Sequence, residues 1–126
     1  MFKTEHKIIL GNSEQMSELD DRTVHLMVTS PPYPMIKIWD DLFGKLDTRI
    51  ANFWQKLKSE GNEERKEKFV MEIYEAMHKA LAKVWKEVYR VLVHGGIVCI
   101  NIGDATRTVN GRFRLFPNHS KIIEHC

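Results

Sequence analysis

The chain has 126 residues, of which 43% are hydrophobic, which is enough for the core of one domain or of part of one. A formal net charge of +2 and a pI of about 8.6 are compatible with a nucleic-acid partner. Two cysteines imply no disulfide framework, and no apolar run approaches membrane-spanning length, so we expect a cytoplasmic protein without a membrane partner.

Residues 7–10 (Lys-Ile-Ile-Leu) predict a short β-strand that ends at Gly11. Asn12 can cap a short helix over residues 12–19. A second strand is predicted from the apolar run at residues 24–28. Because the two strands are joined through a short helical segment, we expect them to be parallel neighbours in one sheet.

The sequence Thr-Ser-Pro-Pro-Tyr-Pro follows the second strand, and we call residues 29–34 the proline elbow. Proline stops a strand or helix, and it holds the residue before it in an extended conformation. The elbow is therefore a stiff segment at the carboxyl end of a predicted strand, which is where open α/β sheets bind ligands.

The atoms of the elbow suit a planar heterocycle that carries an amine. Because prolines donate no hydrogen bond, the carbonyl groups of Ser30 and Pro31 are free to act as acceptors. The Ser30 hydroxyl adds a further acceptor or donor, and the Tyr33 ring offers a flat face for stacking. Acceptors that engage the amine hydrogens make the amine nitrogen more nucleophilic, so the elbow predicts recognition of a nucleobase.

Residues 35–46 mix apolar and charged residues without a clean helical period, which predicts a loop that contains Trp39. Asp47 can cap a helix over the following residues, and residues 59–62 interrupt it. The longest helix is predicted over residues 64–92, ending before Gly95. Its core-facing residues recur at intervals of three and four, and they are Val70, Ile73, Met77, Leu81, Val84, Val88 and Val91.

A third strand is predicted at residues 97–102, apolar enough to be central in a parallel sheet. It is followed by Gly103 and Asp104 at the same sheet edge as the elbow. We expect residues 105–115 to form a loop whose arginines, Arg107, Arg112 and Arg114, contact phosphates or are merely solvated. A final helix begins at Pro117. The histidines lack partners at metal-ligand spacing, so no metal site is predicted.

The motif Ser30-Pro31-Pro32-Tyr33 resembles the catalytic motif of amino-group DNA methyltransferases. Its serine form resembles the subgroup that methylates the N4 amine of cytosine. The segments at residues 7–12 and 95–104 are similar to neighbouring family motifs in the expected order, so the resemblance covers nearly the whole chain.

The resemblance implies the roles of individual residues. Ser30, Pro31, Pro32 and Tyr33 would be catalytic, acting on a target base flipped out of double-stranded DNA. Gly11 and Asn12 would contact the adenine of S-adenosylmethionine, although Asn12 stands where the family has an acidic residue. Trp39 would pack on the substrate, or alternatively on its own domain.

None of the seven glycines forms the G-x-G turn with which the family holds S-adenosylmethionine. In one permuted subgroup the catalytic motif precedes the target-recognition region and the cofactor glycines. The chain resembles the first part of that order, so residues 1–126 are expected to form the catalytic half of a Rossmann-like α/β methyltransferase domain with a mostly parallel sheet flanked by helices. A second polypeptide or a further C-terminal part would supply the rest, and we expect the open sheet edge to make the isolated chain prone to self-association.

Four alternatives stay open at this point. One is an enzyme that acts on the N6 amine of adenine, a second is an enzyme that methylates amino groups of RNA or protein, and a third is a non-catalytic split subunit that serves as a scaffold or binds DNA. A polyproline ligand for SH3-type domains also fits the spacing of the elbow prolines. Such ligands occupy exposed proline-rich segments, whereas this one adjoins an apolar strand.

Overall fold

A computed structural model describes residues 2–126. It contains two small sheets and a set of helices, dominated by one helix that runs through the core. The strands are β1 (Val24–Thr29), β2 (Leu92–Ile100), β3 (Ala105–Val109) and β4 (Arg112–Phe116). The helices are a 3₁₀ turn (Lys37–Trp39), α1 (Asp40–Leu46), α2 (Thr48–Ser59), α3 (Glu63–Val91) and α4 (Asn118–His125).

Strands β1 and β2 pair in parallel, and helices α1 to α3 form the crossover between them. The predicted α/β fold with a parallel sheet flanked by helices is confirmed. The register changes between Val24, which pairs with Leu92, and Leu26, which pairs with Ile97. Gly95, with a φ of 76°, lies in this irregular part of β2. The glycine therefore bends β2, whereas the sequence predicted that it would separate the helix from the strand.

Helix α3 supplies most of the core, as the apolar periodicity predicted. Of the seven predicted core positions, six are buried, and Val84 is partly buried against the same cluster. The Asn62 side chain accepts a hydrogen bond from the backbone N–H of Arg65 (3.0 Å), and Asp47 caps α2 through Arg49 in the same way. These caps satisfy backbone donors that have no partner within the helix, so the predicted break between α2 and α3 is confirmed.

Several predicted elements differ in the structure. Residues 7–10 have no regular structure, and Ile8 and Leu10 are almost fully exposed. A strand needs a neighbour for its backbone hydrogen bonds, and the described residues provide none for this segment. Residues 12–19 form turns instead of a helix.

The third difference is the predicted loop at residues 35–46, which forms the 3₁₀ turn and α1. Asp40 and Asp41 lie in the first turn of α1, where the helix dipole favours negative charge, and the buried Phe43 anchors the helix to the core. The helix was missed because its amphipathic segment is only two turns long.

One face of the β1–β2 sheet is bare. Met27 and Ile100 pack against the core, but the residues that alternate with them point away from it. The exposed fractions are 56% for Leu26, 71% for Val28 and 61% for Ile97. Because parallel sheets are normally covered on both faces, this apolar surface is one that a further layer of structure would cover.

Candidate active site

The proline elbow lies at the carboxyl end of the parallel sheet. The backbone N–H of Asn101, just after β2, donates to the carbonyl oxygen of Thr29 (2.8 Å), so the two strands leave the sheet side by side. Pro31 and Pro34 are buried, whereas Ser30 is exposed. The buried prolines anchor the elbow and leave the serine at the surface of the sheet edge.

The acceptors that the sequence predicted are available. Within residues 2–126, no protein donor occupies the carbonyl oxygens of Ser30 and Pro31. The Tyr33 hydroxyl lies 3.5 Å from the Ser30 hydroxyl oxygen and 3.4 Å from the Asn101 carbonyl oxygen, and both contacts are long. The structure thus brings the Ser30 hydroxyl, two carbonyl groups without a protein donor and an aromatic ring to one place.

Gly103 makes room for the Tyr33 ring. A Cβ atom at this position would lie 3.3 Å from the ring carbon Cε2, closer than most side-chain contacts in proteins. The sequence predicted that the elbow would lie beside Gly103 and Asp104, and the Tyr33 ring is in direct contact with Gly103. Any larger residue at Gly103 would shift the ring from its present position.

Met35, directly after the elbow, has a backbone conformation that residues other than glycine seldom adopt. Its φ is 66°, and its side chain is fully buried. Its backbone N–H donates to the sulfur of Met77 (3.3 Å), and its carbonyl oxygen accepts from Arg107 (3.4 Å). A non-glycine residue in the left-handed region costs free energy and persists only where its surroundings hold it. The elbow is therefore held in place from the core side.

Asp104 follows Gly103 and comes directly before β3, and its side chain contacts the start of α4. Its carboxylate accepts hydrogen bonds from the ring Nδ1 (2.6 Å) and the backbone N–H (3.2 Å) of His119. The hydrogen bond to His119 holds the pKa of Asp104 below its usual range. Asp104 is therefore charged at neutral pH at the sheet edge.

The predicted cofactor residues lie in the N-terminal segment, next to α3. The Asn12 side-chain oxygen accepts from the backbone N–H of Glu14 (3.0 Å), and Asn12 lines a shallow depression with Lys83 and Glu87. Among the described residues, no hydrogen bond joins Gly11 or Asn12 to the elbow. The structure thus brings the elbow and Gly103 together, whereas Asn12 lines the depression beside α3.

A further ion-pair cluster fastens the N-terminal segment to α3. Arg90 donates to the carbonyl oxygens of Met16 and Leu19 and to the carboxylates of Asp21 and Glu87. The bonds from Arg90 and from the Met16 backbone hold the pKa of Glu87 down to about 2. The segment that follows Asn12 is therefore fastened to α3.

The predicted DNA-binding arginines are paired with carboxylates from other elements. Arg107 forms two hydrogen bonds with Asp40 (2.8 and 2.7 Å) and lies over the Trp54 ring. Arg112 and Arg114 both contact Glu67 of α3. Their segment is a β-hairpin and not the predicted loop. It turns at Asn110 and Gly111, which both have positive φ, as the tightest hairpins require.

Trp39 and a set of lysines remain accessible. Trp39 is 36% exposed at the end of the 3₁₀ turn. A groove of about 930 Å³ lies between α1, α2 and the hairpin. Lys37, Lys45 and Lys58 line it, and none of them has an ion pair within the described part of the chain. The sequence did not single out these lysines, because only the fold gathers them at one groove.

The structure contains neither a group of metal-binding side chains nor a membrane-spanning helix within residues 2–126. No three histidine, cysteine, aspartate or glutamate side chains in that range are grouped as ligands of an ion. None of the described helices is long and apolar enough to cross a membrane. Cys99 and Cys126 are both free and exposed.

Comparison with known proteins gives consistent matches. The N6/N4 methyltransferase family model, described as DNA methylase, matches residues 24–125. The type II methyltransferase M.MjaI of Methanocaldococcus jannaschii is 62% identical over 97% of the chain, and M.MthZI of Methanothermobacter thermautotrophicus is 47% identical over 98%. The chain spans only 40% and 32% of the lengths of these two relatives.

A solved structure agrees with these relatives. The crystal structure of a protein described as a putative DNA modification methylase, from Thermus thermophilus, aligns with 93% of the chain at a TM-score of 0.59 and 29% identity. The aligned part is 37% of that protein. The fold of the chain thus corresponds to one part of a larger α/β methylase.

Proposed function

Because the chain belongs to the DNA methylase family, we propose that it is the catalytic part of an S-adenosylmethionine-dependent enzyme that methylates an amino group of a DNA base, as part of a restriction-modification system. The observation that carries the proposal is the proline elbow. Its unoccupied Ser30 and Pro31 carbonyls and the Tyr33 ring lie together at the carboxyl edge of a parallel sheet. This is the edge at which α/β folds bind ligands.

In the proposed mechanism the target base leaves the duplex and stacks on Tyr33. Ser30 and the Pro31 carbonyl accept hydrogen bonds from the base amine, and the rigid Pro31-Pro32 pair keeps these acceptors fixed. Holding the amine in line for attack supplies much of the rate, because correct orientation removes an entropic cost. Bound S-adenosylmethionine would supply an electrophilic methyl group. We favour cytosine N4 as the target because serine heads the motif, and adenine N6 is the alternative.

The described residues form only a fraction of a cofactor site. Asn12 offers one amide oxygen for the adenine, and Glu14 already donates to that oxygen. No G-x-G turn occurs among the seven glycines. We therefore propose that a further C-terminal region or a second polypeptide holds the rest of the cofactor and reads the DNA sequence. The short share of the relatives' length and the bare face of the β1–β2 sheet support this.

The assembled protein tests the proposal. We expect the chain combined with a polypeptide that carries the G-x-G turn and a recognition region to methylate duplex DNA in a reducing, cytoplasm-like buffer. Analysis of the modified bases would distinguish N4-methylcytosine from N6-methyladenine. An assembled protein that binds DNA without transferring methyl groups would favour the alternative of a non-catalytic scaffold or DNA-binding subunit.

The lone chain provides the second half of this test. Calorimetry should detect weak or no binding of S-adenosylmethionine, and sedimentation would report whether the bare sheet face causes self-association. Micromolar binding, about −8 kcal/mol, together with full methyl transfer by the lone chain would contradict the proposed division into two parts.

We further propose that DNA phosphates lie along the groove lined by Lys37, Lys45 and Lys58, with Arg112 and Trp39 at accessible positions nearby. These lysines are free of ion pairs within residues 2–126, whereas Arg107 and Arg114 are half-buried in pairs with carboxylates. Arg107 lines the groove and also contacts Met35 at the end of the elbow. Arg107 thus connects the groove to the residue that follows the elbow.

Replacing the three groove lysines with alanine should weaken DNA binding by the assembled protein and flatten its salt dependence. Each lost phosphate contact lowers the slope of log affinity against log salt by about 0.9. A matched triple variant on α3, Lys68→Ala with Lys79→Ala and Lys86→Ala, is the control. If the slope of log affinity against log salt is the same for the two triple variants, the proposed path of the DNA is contradicted.

A further inference from the structure

Asn118, the first residue of α4, is fully buried, and its side-chain amide is fully hydrogen bonded. Its nitrogen Nδ2 donates to the carbonyl oxygen of Pro34 (3.0 Å) and to that of Gly103 (3.1 Å). Its oxygen Oδ1 lies 3.0 Å from the ring nitrogen Nε2 of His78 on α3. One side chain thus joins the end of the elbow, the segment after β2 and the central helix.

These contacts determine the state of His78. The two hydrogens of the Asn118 amide are both directed at carbonyl oxygens, so its Oδ1 must face His78 as an acceptor. The Nε2 of His78 is therefore the protonated nitrogen that donates. The other ring nitrogen, Nδ1, is buried and has no partner among the described residues, so the ring is neutral.

From this geometry we infer that His78 and Asn118 act as a positioning pair, which holds the elbow so that Tyr33 and the free carbonyls face the sheet edge. The inference rests on the proposed function, since it takes the elbow to be the catalytic segment. Neither residue touches the site where the base would bind. They act through the Pro34 carbonyl and through Gly103, against which the Tyr33 ring packs.

Two features argue against a purely space-filling role for the pair. An apolar side chain would fill the same volume without the cost of burying an amide and an imidazole. Met35, which follows the elbow, also has a left-handed conformation, and such a conformation persists only where its surroundings hold it. The Asn118 amide supplies a contact at the residue before Met35.

Substitutions at His78 separate positioning from packing. In His78→Gln the side-chain nitrogen Nε2 takes nearly the place of the histidine Nε2 and can still donate to Asn118. In His78→Asn the shorter side chain places its nitrogen near the histidine Nδ1 and cannot reach. Tyr74→Phe is the matched control, because the Tyr74 ring packs edge-on against His78 (4.8 Å between centroids) but its hydroxyl has no partner in the described residues.

Amide hydrogen exchange, measured by NMR on the 126-residue chain, provides the readout. The backbone N–H of Ile36 donates to the Tyr33 carbonyl (3.2 Å) and reports on the elbow. The backbone N–H of Thr23 donates to the Val91 carbonyl (2.8 Å) at the opposite end of β1 and serves as the reference. Loss of one buried hydrogen bond corresponds to roughly a five- to tenfold change in an equilibrium.

We expect His78→Asn and Asn118→Asp to accelerate exchange at Ile36 by about five- to tenfold relative to Thr23. His78→Gln and Tyr74→Phe should leave the ratio of the two rates close to that of the unmodified chain. Equal acceleration at both amides in His78→Asn and Asn118→Asp would show a role in general stability and would overturn the inference. An unchanged ratio in both variants would overturn it as well.

Methyl transfer by the assembled protein distinguishes this inference from the proposed function. Selective loosening at Ile36 should lower kcat for His78→Asn more than for His78→Gln. If the unmodified assembly transfers no methyl group, the proposed function fails, while the exchange ratio still decides whether the pair holds the elbow. If His78→Asn accelerates exchange selectively at Ile36 but leaves kcat of an active assembly unchanged, the positioning role is overturned.

Discussion

Replacing Tyr33 with alanine is expected to reduce methyl transfer by the assembled enzyme by about one to two orders of magnitude, while the fold stays intact. Stacking of a base on an aromatic ring is worth roughly 1–3 kcal/mol, and a base that is held loosely reacts more slowly still. The fold should tolerate the change because Tyr33 is only half-buried and its hydroxyl forms two long contacts, at 3.5 and 3.4 Å.

The control for this experiment is Tyr33→Phe, which keeps the ring and removes the hydroxyl. It should retain most of the activity, because the two contacts that it loses are weak. Rates would be measured under single-turnover conditions, with thermal unfolding as the test of the fold. Near-normal turnover by Tyr33→Ala would count against Tyr33 as the stacking residue.

Acidification is expected to destabilise the chain through His78. Burial lowers the pKa of His78 to about 4, against 6.5 in the unfolded chain, and the hydrogen bond to Asn118 only partly offsets this. Between these two values the unfolded state binds a proton that the folded state does not. Stability is therefore fully present above about pH 6.5 and is lost as the pH falls to about 4, by roughly 3 kcal/mol in total.

The groups that surround His78 do not reverse this sign. His125 stacks on its ring (6.4 Å between centroids) and opposes protonation, as does Lys121, while Glu75 favours it. Chemical denaturation of the chain at several pH values between about 4 and 7.5 measures the effect, and His78→Gln is the reference that cannot titrate. Parallel stability curves for the two proteins across that range would contradict the prediction.

Much of the helical structure could be predicted from the sequence, because its signals are local. The apolar stripe of α3 repeats over many turns, and Asn62 and Asp47 cap helices through residues only two or three positions away. The stiff conformation of the elbow could also be predicted, since its prolines restrict the backbone without any help from distant residues. Features of this kind need no knowledge of distant contacts.

The remaining features depend on contacts between distant parts of the chain. Residues 7–10 have the composition of a strand, but no described segment pairs with them. The carboxylates that pair with Arg107 and Arg114 come from α1 and α3, so the predicted arginine loop gave no sign of them. The contacts of Asn118 could not be predicted for the same reason. In the sequence Asn118 is only the start of a helix, and only the fold brings His78 and Pro34 beside it. The hairpin is an exception, since its Asn110-Gly111 turn is itself a local sequence signal for a two-residue hairpin.

The crossover between β1 and β2 has a consequence for how the chain folds. The two strands pair residue by residue, yet the whole of α1, α2 and α3 lies between them in the sequence. Closing so long a loop costs chain entropy before any strand pairing compensates for it, and folding rates fall as contacts become less local. Helices α2 and α3 are neighbours in the sequence and contact each other, so they can assemble first. We expect β1 to pair with β2 only after these helices have assembled. The proline elbow, which follows β1, would then reach its final geometry only in the last stage of folding.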